Sequence, residues 1–310
     1  MESLRHVIDI RQFKSDAELM KLMRLAEDME KRFKNGTLEH SLTGKVLAAL
    51  FYEPSTRTKF SFESAMIRLG GDVIDTESAA HFSSAAKGES LADTVRVVGK
   101  YADVIVIRHP EEGSAKMAAE YSPVPVISAG DGTGQHPTQT LLDAYTIKKE
   151  LGRLDDFSIA MVGDLKNGRT VRSLCYLLSH RKGIRITFVA PDSLRMKDDI
   201  KEYMKTKNVP FKETESLDGA LDADIVYVTR IQKERFASLS DYDKVKGCYV
   251  INRDVLGRMG KNAIIMHPLP RVDEIAPEVD SDPRAAYFRQ AENGLYVRMA
   301  LLKMLLGASK

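Results

Sequence analysis

Short apolar runs of strand length alternate with stretches whose apolar residues recur every three or four positions, and this alternation covers most of the 310 residues. The runs predict buried strands at Lys45–Phe51, Asp72–Asp75, Asp103–Ile107 and Val124–Ile127. After Gly152 the pattern restarts with Ser158–Val162, Ile184–Val189, Ile225–Val228 and Ala263–Met266. Helical spacing lies between them, near 57–69, 90–99, 111–121 and 137–150. Ser15-x-x-Glu18 reads as a capping box opening a helix to about Arg32, and an amphipathic stretch from about Pro283 to Leu306 predicts the last helix. Strands separated by single helices form right-handed βαβ units in parallel sheets. The expected fold is therefore α/β, with two doubly wound parallel-sheet domains over 1–137 and 150–285, joined by the helix at 137–150.

A chain of this length suits two domains at about 100–200 residues each. Lys+Arg 46 against Asp+Glu 44 leaves a net charge of +2, so no global field favours nucleic acid or an anionic membrane. No apolar run reaches the roughly 18 residues of a membrane-spanning helix, and the first residues lack the apolar centre of a signal peptide. Cys175 and Cys248 are too few for a disulfide framework or a cysteine-based zinc site. These features predict a cytoplasmic enzyme with no metal.

Ligands of open parallel sheets bind beyond the carboxyl ends of the strands. Six strand ends carry Arg, His, Gln, Ser or Thr: Ser55-Thr56-Arg57-Thr58, Arg108-His109-Pro110, His136-Pro137-Thr138-Gln139, Gly168-Arg169-Thr170, Thr229-Arg230-Ile231-Gln232 and His267-Pro268-Leu269-Pro270. Ser55 and its neighbours could simply cap a helix. The same geometry also offers free N–H donors and a positive dipole end to an anion. Arg57 in the first turn works against that dipole, which a bound anion would explain, so a phosphate socket is the better reading. His136 and Gln139 stand one turn apart, either as loop and helix residues or as hydrogen-bond partners for a small carbonyl and amide. Lys87, in a Ser/Ala/Gly segment, is either an ordinary loop residue or a cation on a lid. Gly163-x4-Gly168-Arg169-Thr170 departs from a P-loop by placing Arg where Lys binds phosphate, and it predicts a turn that delivers Arg169 to a carboxylate or phosphate. Arg230 and Gln232 alternate on an extended segment and share a face. The prolines of 267–270 pin a backbone whose carbonyls could accept from an amine.

Taken together these motifs resemble the carbamoyltransferase family almost end to end. Phe51 to Thr58 resembles the family's F-x-E-x-S-T-R-T carbamoyl-phosphate motif, and Gln135 to Thr140 with Arg108-His109-Pro110 resembles the rest of that site. The segments 162–165, 168–171, 229–235 and 267–275 are similar to the aspartate-specific catalytic chains, whereas the ornithine-specific ones carry Cys in place of Pro268. Asn167, Gly134 and Ala86 depart from many relatives without removing a ligand position.

The resemblance implies transfer of the carbamoyl group of carbamoyl phosphate to the amine of L-aspartate, in de novo pyrimidine biosynthesis, with no cofactor. It implies that Ser55, Thr56, Arg57 and Thr58 bind the phosphate, and that Thr58, Arg108, His136 and Gln139 hold the carbamoyl part. Ser83 and Lys87 would reach in from an adjacent subunit of a homotrimer, to which separate regulatory chains could attach. Arg169, Arg230, Gln232 and Lys87 would bind aspartate, with the Pro268 and Leu269 carbonyls near its amine. Residues 1–137 become the carbamoyl-phosphate-binding domain, to which a closing helix at about 286–310 returns, and 150–285 the aspartate-binding domain. Arg57, Thr58, Lys87, Arg108 and His136 are the expected catalytic residues. An ornithine-specific transferase is the first alternative, disfavoured because no acidic group on the Arg230 face could take ornithine's side-chain amine. A non-catalytic scaffold and a P-loop nucleotide-binding protein follow.

Overall fold

The computed structural model describes residues 4–13, 15–77 and 88–307. The chain divides into two compact units, Met1–Tyr145 with Glu292–Lys310, and Thr146–Ala291.

The first unit holds a four-stranded parallel sheet of β1 (Val46–Phe51), β2 (Asp72–Glu77), β3 (Val104–His109) and β4 (Val126–Asp131), in the order β2-β1-β3-β4. Helices α1 (Asp16–Lys34), α2 (Thr56–Arg68), α3 (Leu91–Val98) and α4 (Ser114–Tyr121) lie along this chain, and α5 (Pro137–Leu151) follows β4. Ser15 caps α1 as expected, its hydroxyl accepting the Glu18 N–H at 3.3 Å and donating to the Glu18 carboxylate at 3.2 Å. A core of Ala48, Leu50, Ile105, Ile107, Val126, Val95 and Ala118 lies between sheet and helices.

The second unit holds β5 (Ser158–Val162), β6 (Arg185–Val189), β7 (Phe211–Thr214), β8 (Ile225–Val228) and β9 (Ile264–Met266), all parallel, in the order β7-β6-β5-β8-β9. Its helices are α6 (Arg169–Leu178), α7 (Asp198–Thr206), α8 (Leu239–Asp243) and α9 (Arg253–Arg258). The last helix, α10 (Tyr287–Leu306), begins in this unit and ends in the first. Ala160, Val162, Val226, Val228, Ile251 and Ile265 form the core of the second unit.

Each sheet is pinned at its base by an aspartate. Asp103, just before β3, accepts the backbone N–H of Val46 at 2.9 Å, while Asp224, just before β8, accepts that of Ser158 at 2.7 Å. The structure moves three strand limits by two residues or more and adds one strand; β2 runs on to Glu77 rather than ending at Asp75. β3 runs through Arg108 and His109, which therefore belong to the strand rather than to the loop after it. β4 lies at 126–131 rather than 124–127, because small residues through Gly130 stay buried beyond the apolar run. β7 was not expected, since its half-exposed FKET sequence lacks an apolar signature. Among the described residues no helix is long and apolar enough to cross a membrane.

Candidate functional site

In the first unit the β1 and β3 ends are held together by register. Phe51 pairs with Arg108, and the Tyr52 N–H donates to the Arg108 carbonyl at 2.9 Å. The β3–β4 pairing shifts register between Ile107 and His109, an irregularity of the kind that re-aims a side chain. Arg108 there donates through Nη1 to the Ala129 carbonyl at 3.2 Å, and its Nε stands 3.6 Å from Glu53 Oε2. His109 packs its ring on Tyr52 at 4.6 Å, and its Nδ1 accepts the Glu111 N–H at 3.1 Å. Burial pushes the His109 imidazole below its ordinary value. The neutral ring thus acts as a brace for the 108–114 turn.

Helix α2 opens inside the predicted phosphate socket. Ser55 precedes it in a non-helical conformation, yet its side chain caps no N–H. The hydroxyl is therefore not committed to the helix, and the first-turn N–H groups fall outside the helical ladder by geometry. Thr58 is buried, Ser55 half-buried, and Thr56 and Arg57 are exposed. Helices α2, α4, α5 and α6, which follow β1, β3, β4 and β5, have no acidic residue in their first turns. Of the other helices among the described residues only α10 shares this, whereas α1, α3, α7, α8 and α9 each carry at least one. The positive dipole ends at the predicted sites are thus left for an external anion.

The loop after β4 is tight. A Cβ on Gly132, at φ +48°, would stand 2.7 Å from the Pro110 carbonyl oxygen, so the β3 and β4 loops approach closely only because residue 132 is glycine. Pro137 then opens α5, a first-turn place where its missing N–H costs nothing. His136 and Gln139 are both buried here. The Gln139 Nε2 donates to Asp143 Oδ1 at 2.8 Å.

In the second unit the β5 and β8 loops touch. Gly163 has φ +116°, and a Cβ there would lie 2.2 Å from the Thr229 carbonyl oxygen. Asp164 is fully buried and accepts the Asn167 N–H at 3.0 Å. Burial pushes its carboxyl up, while hydrogen bonds from Asn167 and from the backbone of Gln232 and Lys166 oppose that. One carboxylate therefore ties the turn leading to Arg169 to the segment bearing Gln232. Arg169, half-buried, is the first residue of α6. Arg230 donates through both terminal nitrogens to Glu234, from Nη1 to Oε2 at 3.1 Å and from Nη2 to Oε1. That bond raises the guanidinium's proton affinity, with the charges of Glu274 and Asp164 adding to it.

His267 builds the Pro268–Leu269 turn. Its Nδ1 accepts the Leu269 N–H at 2.8 Å, so the ring proton sits on Nε2 and faces Glu274 Oε1 at 2.7 Å. Burial pushes the Glu274 carboxyl up, but the His267 contact and the nearby N–H groups outweigh it and leave the group below its ordinary value. Leu269 has φ +53°, a left-handed conformation seldom adopted by a branched side chain. In a trans peptide C=O and N–H point opposite ways, so the bond to His267 aims the Pro268 carbonyl away from the imidazole.

Ser83 and Lys87 lie outside the described residues. Of the predicted residues, Ser55–Thr58, Arg108, His136 and Gln139 fall in the first unit, at the ends of β1, β3 and β4. Arg169, Arg230, Gln232, Pro268 and Leu269 fall in the second, at the ends of β5, β8 and β9. The expectation that no acidic group shares the Arg230 face is overturned, because Glu234, four residues on, pairs with Arg230; Asp143, four residues beyond Gln139, is a second carboxylate that the motifs do not point to.

Known proteins share this layout. Residues 5–149 match the family described as aspartate/ornithine carbamoyltransferase, carbamoyl-P binding domain, and residues 155–305 match its Asp/Orn binding domain. An aspartate carbamoyltransferase of Arabidopsis thaliana chloroplasts is 56% identical over 306 residues, covering 98% of this chain and 78% of the relative. The solved catalytic subunit of M. jannaschii aspartate transcarbamoylase is 53% identical with a TM-score of 0.91, over 98% of both chains. The Trypanosoma cruzi aspartate transcarbamoylase solved with carbamoyl phosphate and aspartate is 41% identical with a TM-score of 0.92, over 97% of both. With both domains of the family matched in order and relatives alike over nearly the whole sequence, the chain belongs to the aspartate/ornithine carbamoyltransferases.

Proposed function

We propose that this chain catalyses carbamoyl phosphate + L-aspartate → N-carbamoyl-L-aspartate + phosphate, feeding de novo pyrimidine synthesis. The observation that carries the choice of acceptor is a pair of arginines in the second unit, Arg169 opening α6 and Arg230 just beyond β8. Two guanidiniums suit the two carboxylates of aspartate. Pro268, where ornithine-specific chains carry Cys, supports the same choice, as does the naming of the relatives above.

Ser55, Thr56, Arg57 and Thr58 bind the phosphate at the start of α2. Arg108, His136 and Gln139, with Thr58, hold the carbamoyl group. Arg169, Arg230 and Gln232 bind aspartate, and the Pro268 and Leu269 carbonyls accept from its amine. Ser83 and Lys87 complete the set from a neighbouring subunit of a homotrimer. Exposed Phe60 and Ile67 on α2 and Ile74 on the edge strand β2 support such an association. The designation of the M. jannaschii relative as a catalytic subunit supports separate regulatory chains as further partners. Two free thiols, Cys175 and Cys248, suit a reducing, cytoplasmic setting.

The chemistry needs no covalent nucleophile. The deprotonated aspartate nitrogen attacks the carbamoyl carbon, forming the C–N bond and placing negative charge on the carbonyl oxygen. Thr58, Arg108 and His136 stabilise that oxyanion, each well-aimed donor contributing about 2.7–4 kcal/mol in comparable enzymes. The C–O bond to phosphate then breaks, and the departing phosphate takes the amine proton. Holding two substrates in reacting orientation lowers the barrier by roughly 7–11 kcal/mol.

The test is incubation of the purified chain with carbamoyl phosphate and either L-aspartate or L-ornithine, measuring the ureido product. Product with aspartate alone supports the reading. Product with ornithine overturns the assignment of the second unit, and product with neither points to a non-catalytic scaffold.

A further inference from the structure

His136 stands between two anchors. On its carboxyl side its carbonyl accepts the N–H groups of Gln139 and Thr140, both at 3.1 Å, which ties it to the first turn of α5. Pro137 follows, and a residue before proline is held to extended backbone. On its amino side the hold comes from a carboxylate. Asp131, the last residue of β4 and 8% exposed, accepts the Gln135 N–H on Oδ1 at 3.3 Å. Its Oδ2 accepts the Gly113 N–H at 3.0 Å, at the head of α4. One side chain therefore bridges the loop after β3 and the loop after β4, and no step above uses it.

The main-chain bonds of this loop do not reach as far. The Gly132 N–H donates to the His109 carbonyl and the Gly134 N–H to the Asp131 carbonyl, both at 2.9 Å, and both stop short of Gln135. The loop closes tightly on the carboxylate, because a Cβ on Gly134 would stand 2.9 Å from Asp131 Oδ1. The Gln135 side chain adds a second restraint, its Oε1 accepting the Ile10 N–H at 2.9 Å. Burial makes a carboxylate costly unless its oxygens are bonded, so Asp131 constrains both loops to the positions that bond it.

We propose that Asp131 is a positioning residue for His136, holding it at the spacing from the β3 end at which its imidazole meets the carbamoyl oxygen. This rests on the reading of His136 as a carbamoyl ligand. Inorganic phosphate is the discriminating probe, because it fills the Arg57 socket and has no carbamoyl group for His136 to meet.

Kinetics of the full chain would compare Asp131→Ala, Asp131→Asn, His136→Ala and the Asp131→Asn/His136→Ala double variant. Rates are expressed per phosphate socket, counted by calorimetric titration with inorganic phosphate. Asp131→Ala is expected to lower kcat/KM by up to about 100-fold, the scale of a catalytic group displaced by roughly 1 Å. Asp131→Asn should lose less, since its carboxamide offers one acceptor oxygen to two N–H groups. The affinity for inorganic phosphate should not move. In the His136→Ala background Asp131→Asn should cost almost nothing more. A merely structural role would lower the rate by the same factor in both backgrounds. That result, a weakened affinity for inorganic phosphate, or an unchanged kcat/KM in Asp131→Asn would overturn the proposal. If Asp131→Ala does not fold, Asp131→Asn, which keeps the shape of the side chain, decides through the same cycle. An unchanged kcat/KM in His136→Ala would instead remove His136 as a ligand, and the proposal with it.

Discussion

Arg230 and Glu234, four residues apart, meet through two guanidinium nitrogens and two carboxylate oxygens. The carboxylate restrains a long side chain that would otherwise sample many rotamers, and it holds the guanidinium plane at one angle. Glu234→Ala is therefore expected to raise the KM for aspartate about tenfold or more while leaving that for carbamoyl phosphate nearly unchanged. Glu234→Gln, which retains one acceptor, should fall between. Steady-state kinetics with each substrate varied in turn checks both; equal changes in the two KM values would contradict the assignment.

Arg57 stands in the first turn of α2, where its charge adds to the dipole's positive end instead of opposing it. Arg57→Ala should lower kcat/KM by about 10²–10³, the loss seen when one well-aimed donor is removed elsewhere. Arg57→Lys should recover little, because an ammonium cannot reproduce the planar two-point contact. A variant with near-normal rates would show that phosphate binds elsewhere.

Asp103 and Asp224 contribute to the acid limit of the fold. In each, burial pushes the carboxyl up, but the hydrogen bonds it accepts and nearby cations bring it below its ordinary value. The folded chain then binds those protons less tightly than the unfolded chain. The clamps contribute stability above the ordinary Asp value of about 3.9, and that contribution is lost as pH falls through the lowered folded values. Asp103→Asn and Asp224→Asn are expected to lower Tm at neutral pH, by an amount that shrinks steadily as pH falls below about 3.9. Calorimetry across that range checks the sign, and a variant equally destabilised at both ends would contradict it.

Gly163→Ala combines an unfavourable φ with a collision against the Thr229 carbonyl. We expect a loss of about 1–3 kcal/mol in stability. The surviving enzyme should have a raised aspartate KM, since the β5 and β8 loops can no longer touch. Chemical denaturation and kinetics on the same preparation would separate the two effects.

The strands were legible where their apolar runs were continuous. Val46–Phe51, Ser158–Val162 and Ile225–Val228 are buried on both faces and bounded by turn residues, so local sequence and tertiary environment agree. Phe211–Thr214 was not legible, because an edge strand with one covered face and a polar composition looks like any loop. The end of β4 was misjudged because burial there falls on Ser128, Ala129, Gly130 and Asp131, which carry no hydrophobic signal. At the candidate site the proposed ligand side chains stood out by their position after strands. Their supports did not: Asp143 and Glu234 look like ordinary helical and loop carboxylates until the fold sets them beside Gln139 and Arg230.

The strand orders, β2-β1-β3-β4 and β7-β6-β5-β8-β9, have a consequence for how one chain came to recognise two different anions. With β7 set aside, the two sheets have the same wiring: β1 corresponds to β5, β2 to β6, β3 to β8 and β4 to β9. On that correspondence Asp103 falls on Asp224, Arg57 on Arg169, and Arg108 on Arg230. Each sheet puts one arginine in the first turn of the helix after its first strand and another at the end of its third. On the proposed assignments, an acyl phosphate and a dicarboxylic amino acid would be met by two editions of a single layout, and the novelty between them lies in the few side chains around each guanidinium.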